Sequence, residues 1–225
     1  MLKSFLIIIN FHIFAFASQI VLVVADNTNT NKAKLQCFED NKKVGKTIDV
    51  NIGKNGLGLG VSKLTPNFDI KIYKREGDKK APLGIFKLTR VFGYEKNIKT
   101  NMPYIQASKD LICVDDSDSK DYNRIIKMPS IKPKSFEIMR RDDDQYKLGI
   151  VVDHNKKQIK QAGSCIFLHV QKTQDSPTAG CTSMKYEDLK KIVEWLDPKK
   201  DPMLIQVDEK NLDNIKKLYP ELPLD

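Results

Sequence analysis

Cys181 and His169 are the pair in this chain whose residue types and spacing suit nucleophilic chemistry. A cysteine attacks a carbonyl as its thiolate, so it needs a base nearby and a positive surround. The stretch "GSCIFLHV" (163–170) reads as a buried strand that ends near His169, and "SPTAGCTSM" (176–184) carries Cys181 twelve residues further on. A strand, a loop and a helix start of that length can return the cysteine to the histidine. Gly180 lets the backbone turn sharply and leaves room beside the sulfur. The amides around Gly180 and Cys181, close to an expected helix start, are candidate oxyanion donors. Spacing alone leaves two other readings open, half of a disulfide or a small buried thiol.

The elements that would position the pair are mostly strands. "KTIDVNI" (46–52) and "FDIKIYK" (68–74) alternate apolar and polar residues as half-buried strands do, and "NIGKNGLGLG" (51–60) is rich in turn residues. "PLGIFKLT" (82–89), "YKLGIVVDHN" (146–155) and "PMLIQV" (202–207) are further strand candidates. Period-two alternation puts Cys165, Phe167 and His169 on one face. After the cysteine, Leu189, Ile192, Val193 and Leu196 recur at helical spacing, with Ser183 a candidate N-cap and Glu187 and Asp188 at the favourable end of the dipole. "EKNLDNIKKLY" (209–219) closes as a short helix. Many strands with late helices predict a single mainly β domain with appended helices, an α+β class.

Residues 1–25 stand apart: a basic start, then an apolar run with no acid before Asp26. They read as a signal peptide cut after Ala25, or earlier after Ala17, and otherwise as an uncleaved anchor attached to a membrane. Residues 26–34 read as a polar linker, and 35–225 as the domain. Loss of residues 1–25 removes Lys3 and no acid, so the formal net charge falls from +9 to +8. The lysines are interleaved with acids ("KREGDKK", "MRRDDDQYK"), which argues against nucleic acid as a partner. Cys37, Cys113, Cys165 and Cys181 follow no metal-ligand spacing, so no metal is expected. Cys165 reads as a buried thiol near the site and Cys37–Cys113 as one candidate disulfide, the pairing among the three being open. His154 reads as a turn or surface residue and Trp195 as packing, while the adjacent Asp115 and Asp116 diverge too much to act as an acid/base pair.

Several ordered motifs add to this reading. "IFLHVQKTQDSPTAGCTSM" (166–184) resembles the signature of the L,D-transpeptidase catalytic family, the YkuD-like domain: His169, a variable loop, then Thr178, Gly180 and Cys181. "YKREGDKKAPLGIF" (73–86), "MPYIQ", "CVDDSDSKDYNRII" (113–126), "YKLGIVVDHN" and "WLDPKKDPMLIQV" (195–207) resemble a variant branch of the same family, over roughly residues 70 to 207. Two departures stand out. The family pattern follows the cysteine with an apolar residue and an arginine, where this chain has Thr182 and Ser183, and the loop from His169 to Thr178 is shorter than usual. Arg75 is a candidate replacement for that arginine, the alternative being a surface salt bridge.

The resemblance implies an L,D-transpeptidase-like β-sandwich and a cysteine acyltransferase of peptidoglycan stem peptides, exported to the periplasm or cell envelope. Cys181 would be the nucleophile, His169 the general base and acid, and Gly180 part of the oxyanion hole. Thr178, Arg75, Tyr122 and Asn123 are candidate substrate contacts. Attack on the third, diamino-acid residue of a stem would expel the terminal D-alanine, and an amine would resolve the thioester as a 3-3 crosslink. Water as acceptor gives an L,D-carboxypeptidase, and a protein lysine gives an anchored protein. A catalytically silent wall-binding module with the same fold is the rival reading. No cofactor is called for, and a monomer is expected.

Overall fold

The computed structural model describes residues 19–62 and 66–224. Its strands are β1 (Gln19–Ala25), β2 (Lys32–Glu39), β3 (Lys42–Asn51), β4 (Leu57–Leu59), β5 (Ala81–Gly93), β6 (Tyr104–Gln106), β7 (Leu111–Val114), β8 (Ile125–Lys127), β9 (Phe136–Ile138), β10 (Leu148–Val152), β11 (Phe167–Val170), β12 (Thr182–Met184) and β13 (Met203–Asp208). Helices α1 (Tyr186–Trp195) and α2 (Leu212–Leu218) come late in the chain.

The main sheet runs β10-β11-β12-β3-β2-β1-β13-β5, and β5 pairs back onto β10, so these strands form a closed ring. Length makes that closure feasible: β5 has 13 residues, of which Gly84–Lys87 pair with β13 and Leu88–Gly93 with β10. Closure leaves the ring without a free edge. The interior is filled by alternating apolar side chains from every wall, among them Val21, Leu35, Ile85, Ile150, Leu168 and Ile205. Helix α1 buries Leu189, Ile192 and Val193 as its periodicity requires. The mainly β class with appended helices is therefore observed, the two layers of a sandwich being opposite walls of one sheet.

A separate three-stranded sheet, β8-β7-β9, lies outside the ring. Between it and the main sheet is a second apolar cluster of Phe92, Leu111, Cys113, Met139, Tyr146, Cys165, Phe167 and Cys181. The candidate nucleophile thus sits in this smaller core rather than inside the ring.

Three sequence expectations need correction. The domain does not begin at residue 35. Strand β1 lies between β2 and β13, and Ile20, Val21, Leu22, Val23 and Ala25 are all buried. Residues 32–34 of the expected linker are already in β2. Because β1 is apolar from Ile20 to Ala25, its composition imitates the end of a leader; burial on both faces of a sheet asks for the same residues. Residues 1–18 lie outside the described residues. The stretch 68–74 alternates but pairs with no strand, apart from one bridge between Tyr73 and Leu59. Ser183 is no N-cap: it lies in β12 opposite His169, and α1 starts after Lys185.

Candidate functional site

Strands β11 and β12 run parallel, with Leu168 opposite Thr182 and His169 opposite Ser183. Paired residues of parallel strands share a face, so Thr182 turns inward with Leu168 while the face of Phe167 and His169 is the one Cys181 joins. At a strand spacing near 4.8 Å and a rise near 3.3 Å per residue, the Cα atoms of Cys181 and His169 are roughly 8 Å apart. The register therefore puts the two on one face of the strand pair. The helix start lies beyond β12, so the α1 dipole does not serve Cys181.

The loop before Cys181 is held rigidly. Gly180 has φ +149°, and a Cβ there would come within 3.0 Å of the Lys80 carbonyl oxygen, so only glycine suits the position. Thr178 Oγ1 donates to the Cys181 carbonyl (2.6 Å) and accepts from the Gly180 amide (3.1 Å). Its backbone is bonded to Ile52 and Lys54. Thr178 thus shapes the turn rather than offering a hydroxyl to a substrate, and in this state the Gly180 amide is occupied.

Cys181 is 8% exposed. Its Sγ accepts from the Phe167 amide (3.3 Å) and donates to the Cys165 carbonyl (3.4 Å), so the resting thiol is held by main chain and not by the imidazole. Burial pushes the thiol up to about 12; the nearby Glu137 charge adds to this, while the Phe167 N–H, Lys74 and Arg141 oppose it. His169 is 5% exposed, and burial brings it down to about 4, which keeps the imidazole neutral at neutral pH. Its Nδ1 lies 2.8 Å from the Val170 carbonyl oxygen, which can only accept, so Nδ1 carries the hydrogen and Nε2 keeps a lone pair for a proton. A neutral thiol beside a neutral base means that proton transfer has to accompany attack. It also means slow labelling of the resting thiol near pH 7.

The residues packed over the pair were not legible as site residues. The Tyr146 ring meets His169 edge-on at 5.4 Å and Phe167 at 5.5 Å, and its hydroxyl donates to the Glu137 carboxylate on β9. Arg141 lies over the Tyr146 ring at 5.1 Å and is held by both oxygens of Asp143, at 2.8 and 2.6 Å. The small sheet is tied down covalently: Cys113 of β7 forms a disulfide with Cys165, just before β11. This corrects the reading of Cys165 as a free thiol and of Cys37 as the partner of Cys113, since Cys37 is a buried free thiol. Cys165 has φ +53°, so the alternation that joined it to Phe167 and His169 breaks at that residue.

The other candidates brace the loop. Tyr122 is buried, donates to Glu76 and accepts from the Gly163 amide (3.1 Å). Asn123 accepts from the Cys165 amide (2.9 Å) and donates to the carbonyls of His154 (2.8 Å) and Asn155 (3.0 Å). Neither offers its polar groups to a ligand. Arg75 is exposed in a turn closed by Asp78. The buried cation beside Gly180 is instead Lys74, whose ammonium bonds to Asp78 (2.7 Å) and to the Arg75 carbonyl (2.6 Å). His154 is in a turn as read, yet it is buried rather than at the surface, with Nε2 2.9 Å from the Ala162 carbonyl oxygen. Among the described residues no cluster of His, Cys, Asp and Glu could hold a metal ion, and no helix is long and apolar enough to cross a membrane.

The YkuD family model, the L,D-transpeptidase catalytic domain, matches residues 21–205. The chain belongs to that family. The matched range begins inside β1, which places this strand within the L,D-transpeptidase domain as the pairing does. No curated protein and no solved structure matches the chain. Membership indicates peptidoglycan processing, with stem peptides as the substrate class of the L,D-transpeptidase family.

Proposed function

We propose that this L,D-transpeptidase domain is an active, exported cysteine acyltransferase that acts on the bond between the diamino acid and the terminal D-alanine of a stem peptide. The observation that carries this reading is the placement of Cys181 and a neutral His169 on one face of adjacent parallel strands. In the reaction the thiol proton passes to His169 Nε2 as the sulfur bonds to the diamino-acid carbonyl. The carbonyl oxygen takes the negative charge and is met by amides of the 180–181 turn once the Gly180 N–H leaves Thr178. Collapse breaks the C–N bond, and His169 returns the proton to the departing D-alanine amine. A second stem's side-chain amine then attacks the thioester carbonyl and gives a proton to His169; the C–S bond breaks, the sulfur takes that proton back as the thiol, and the acyl group leaves as the 3-3 crosslink.

Because Cys181 is buried under Tyr146 and the small sheet, the substrate has to displace part of that cover. A covered, main-chain-bonded thiol is also the observation that favours a silent wall-binding protein. Product analysis separates the readings. Stems incubated with the protein should give 3-3 crosslinked dimers by chromatography and mass spectrometry; tripeptide alone would make it an L,D-carboxypeptidase. Unchanged tetrapeptide would leave binding as the function.

Export rests on the apolar, acid-free start of the chain. Ala15 and Ala17 form the small-x-small pattern that a signal peptidase reads, and a cut after Ala17 leaves β1 whole. The N-terminal residue of secreted protein tests this: Ser18 is expected, and Asp26 would contradict it.

A further inference from the structure

We propose that the cleft between β5, β10 and the small sheet is an anion-binding groove that takes the carboxylate-bearing part of the stem peptide. The proposal rests on the functional reading above and adds where, and by what chemistry, the substrate is held.

The groove has a volume of about 430 Å³ and is bounded by residues of β5, β8 and β10 and by the Cys165–Phe167 segment. Its lining includes the apolar Ile125, Val151 and Phe167 beside the Cys113–Cys165 disulfide. Three cations stand on its wall, Arg90, Arg124 and Lys156, against a single carboxylate, Asp153. Lys156 is 3.6 Å from Asp153, which leaves the two arginines as the positive excess. Arg124 Nη2 donates to the Gln158 amide oxygen at 3.2 Å, a neutral partner, and its nearest carboxylate, Asp121, is 3.9 Å away. Among the described residues Arg90 forms no ion pair. Both arginines are exposed, so neither is committed to the core.

Guanidinium groups among apolar lining residues suit a short peptide with free carboxylates: the fork pairs with a carboxylate, and the apolar lining covers the aliphatic parts. The volume lies in the range of small-ligand sites. A stem peptide meets this description, since it is short and carries several carboxylates, that of its terminal D-alanine included. A nucleic acid would ask for a longer basic track with stacking aromatics on it, which this groove lacks.

The groove is also joined to the nucleophile. Cys165 and Phe167 form part of its wall, and the same two residues hold Cys181 Sγ through their backbone, at 3.4 Å and 3.3 Å. A ligand seated here presses on the segment that holds the sulfur. The sequence gives no hint of this, because Arg90, Arg124 and Lys156 come from three separate stretches.

The test measures binding without turnover. The full chain carrying Cys181→Ala is titrated calorimetrically with a disaccharide tetrapeptide, then the same is done with Arg90→Glu and Arg124→Glu added, and with the tetrapeptide amidated at its carboxylates. Kd should rise at least tenfold on charge reversal, and to a similar extent on amidation, with no further loss when the two are combined. Circular dichroism checks folding, and the single variants Arg90→Gln and Arg124→Gln replace the double variant should that variant not fold. A Kd unchanged within twofold on charge reversal, or no binding of the stem at all, would overturn the groove. Charge-dependent binding by a protein that makes no product from stems would keep the groove and remove the acyltransferase reading, so the two fail separately.

Discussion

Cys181 and Cys165 meet through the main chain: the Cys181 thiol donates to the Cys165 carbonyl at 3.4 Å, while the Cys165 sulfur is bonded to Cys113 of the small sheet. The residue that anchors the cover is therefore also a residue that restrains the nucleophile. Reduction of this bridge, or its replacement by Cys113→Ala with Cys165→Ala, should loosen both. The bridge closes a sequence separation of 52 residues, for which loss of the crosslink costs roughly 2–4 kcal/mol of stability. Denaturant unfolding reads the stability, and iodoacetamide labelling followed by peptide mass spectrometry reads the thiol. Cys181 should label faster in the bridgeless protein; equal rates would show that the cover is held by packing alone.

Gly180→Ala should abolish turnover and destabilise the protein. The left-handed region that this residue occupies costs a non-glycine residue about 1–3 kcal/mol, and the added methyl would meet the Lys80 carbonyl at 3.0 Å. Thermal melting and product formation measure the two effects. A variant that melts and turns over as the parent does would mean that the turn has another accessible shape.

His154 and His169 make stability depend on pH in a definite direction. Both are buried, and burial holds each at about 4, below the usual histidine value. Between about 4 and 6.5 the unfolded chain then binds more protons than the folded one, so stability is full above pH 6.5 and falls as pH drops toward 4. Each histidine contributes on the order of 3 kcal/mol to that slope. His154→Gln, away from the nucleophile, should flatten the slope measured by melting between pH 4 and 7. An unchanged slope would place the proton uptake elsewhere.

The start of the domain gives a sharp contrast. A chain lacking residues 1–18 should fold, and one lacking residues 1–25 should not. The four larger buried side chains of β1, Ile20, Val21, Leu22 and Val23, are worth roughly 1.5–3 kcal/mol each, comparable in sum with the whole stability of a domain. Circular dichroism and analytical gel filtration of the two truncations measure this. A cooperative, monomeric fold without residues 19–25 would show that the domain does not need β1.

Alternation made β3 legible and period 3.6 made α1 legible, while β5, β10 and β13 could be read as short apolar runs bounded by turn residues, as buried strands are. Strand β1 was hidden because burial on both faces gives the same apolar run as a leader. Residues 68–74 misled for the converse reason: alternation shows that a segment is half-buried, not that it has a partner strand. Within the site, Cys181, His169 and Gly180 could be read from local spacing and motif. Tyr146, Glu137, Arg141 and Lys74 reach the site through the fold, from places where a tyrosine, an acid or a basic residue is unremarkable in sequence. The Cys113–Cys165 bridge was equally hidden, since cysteine spacing carries no connectivity.

The central claim is that Cys181 becomes acylated by a stem. Intact-mass spectrometry of the protein from Ser18 to Asp225, with the disulfide kept and rapid quenching after addition of disaccharide tetrapeptide, reads this directly. A mass gain equal to the stem less D-alanine is predicted, located at Cys181, absent in Cys181→Ala and strongly reduced in His169→Gln. No adduct at Cys181 at any time, with the tetrapeptide left intact, would contradict the account.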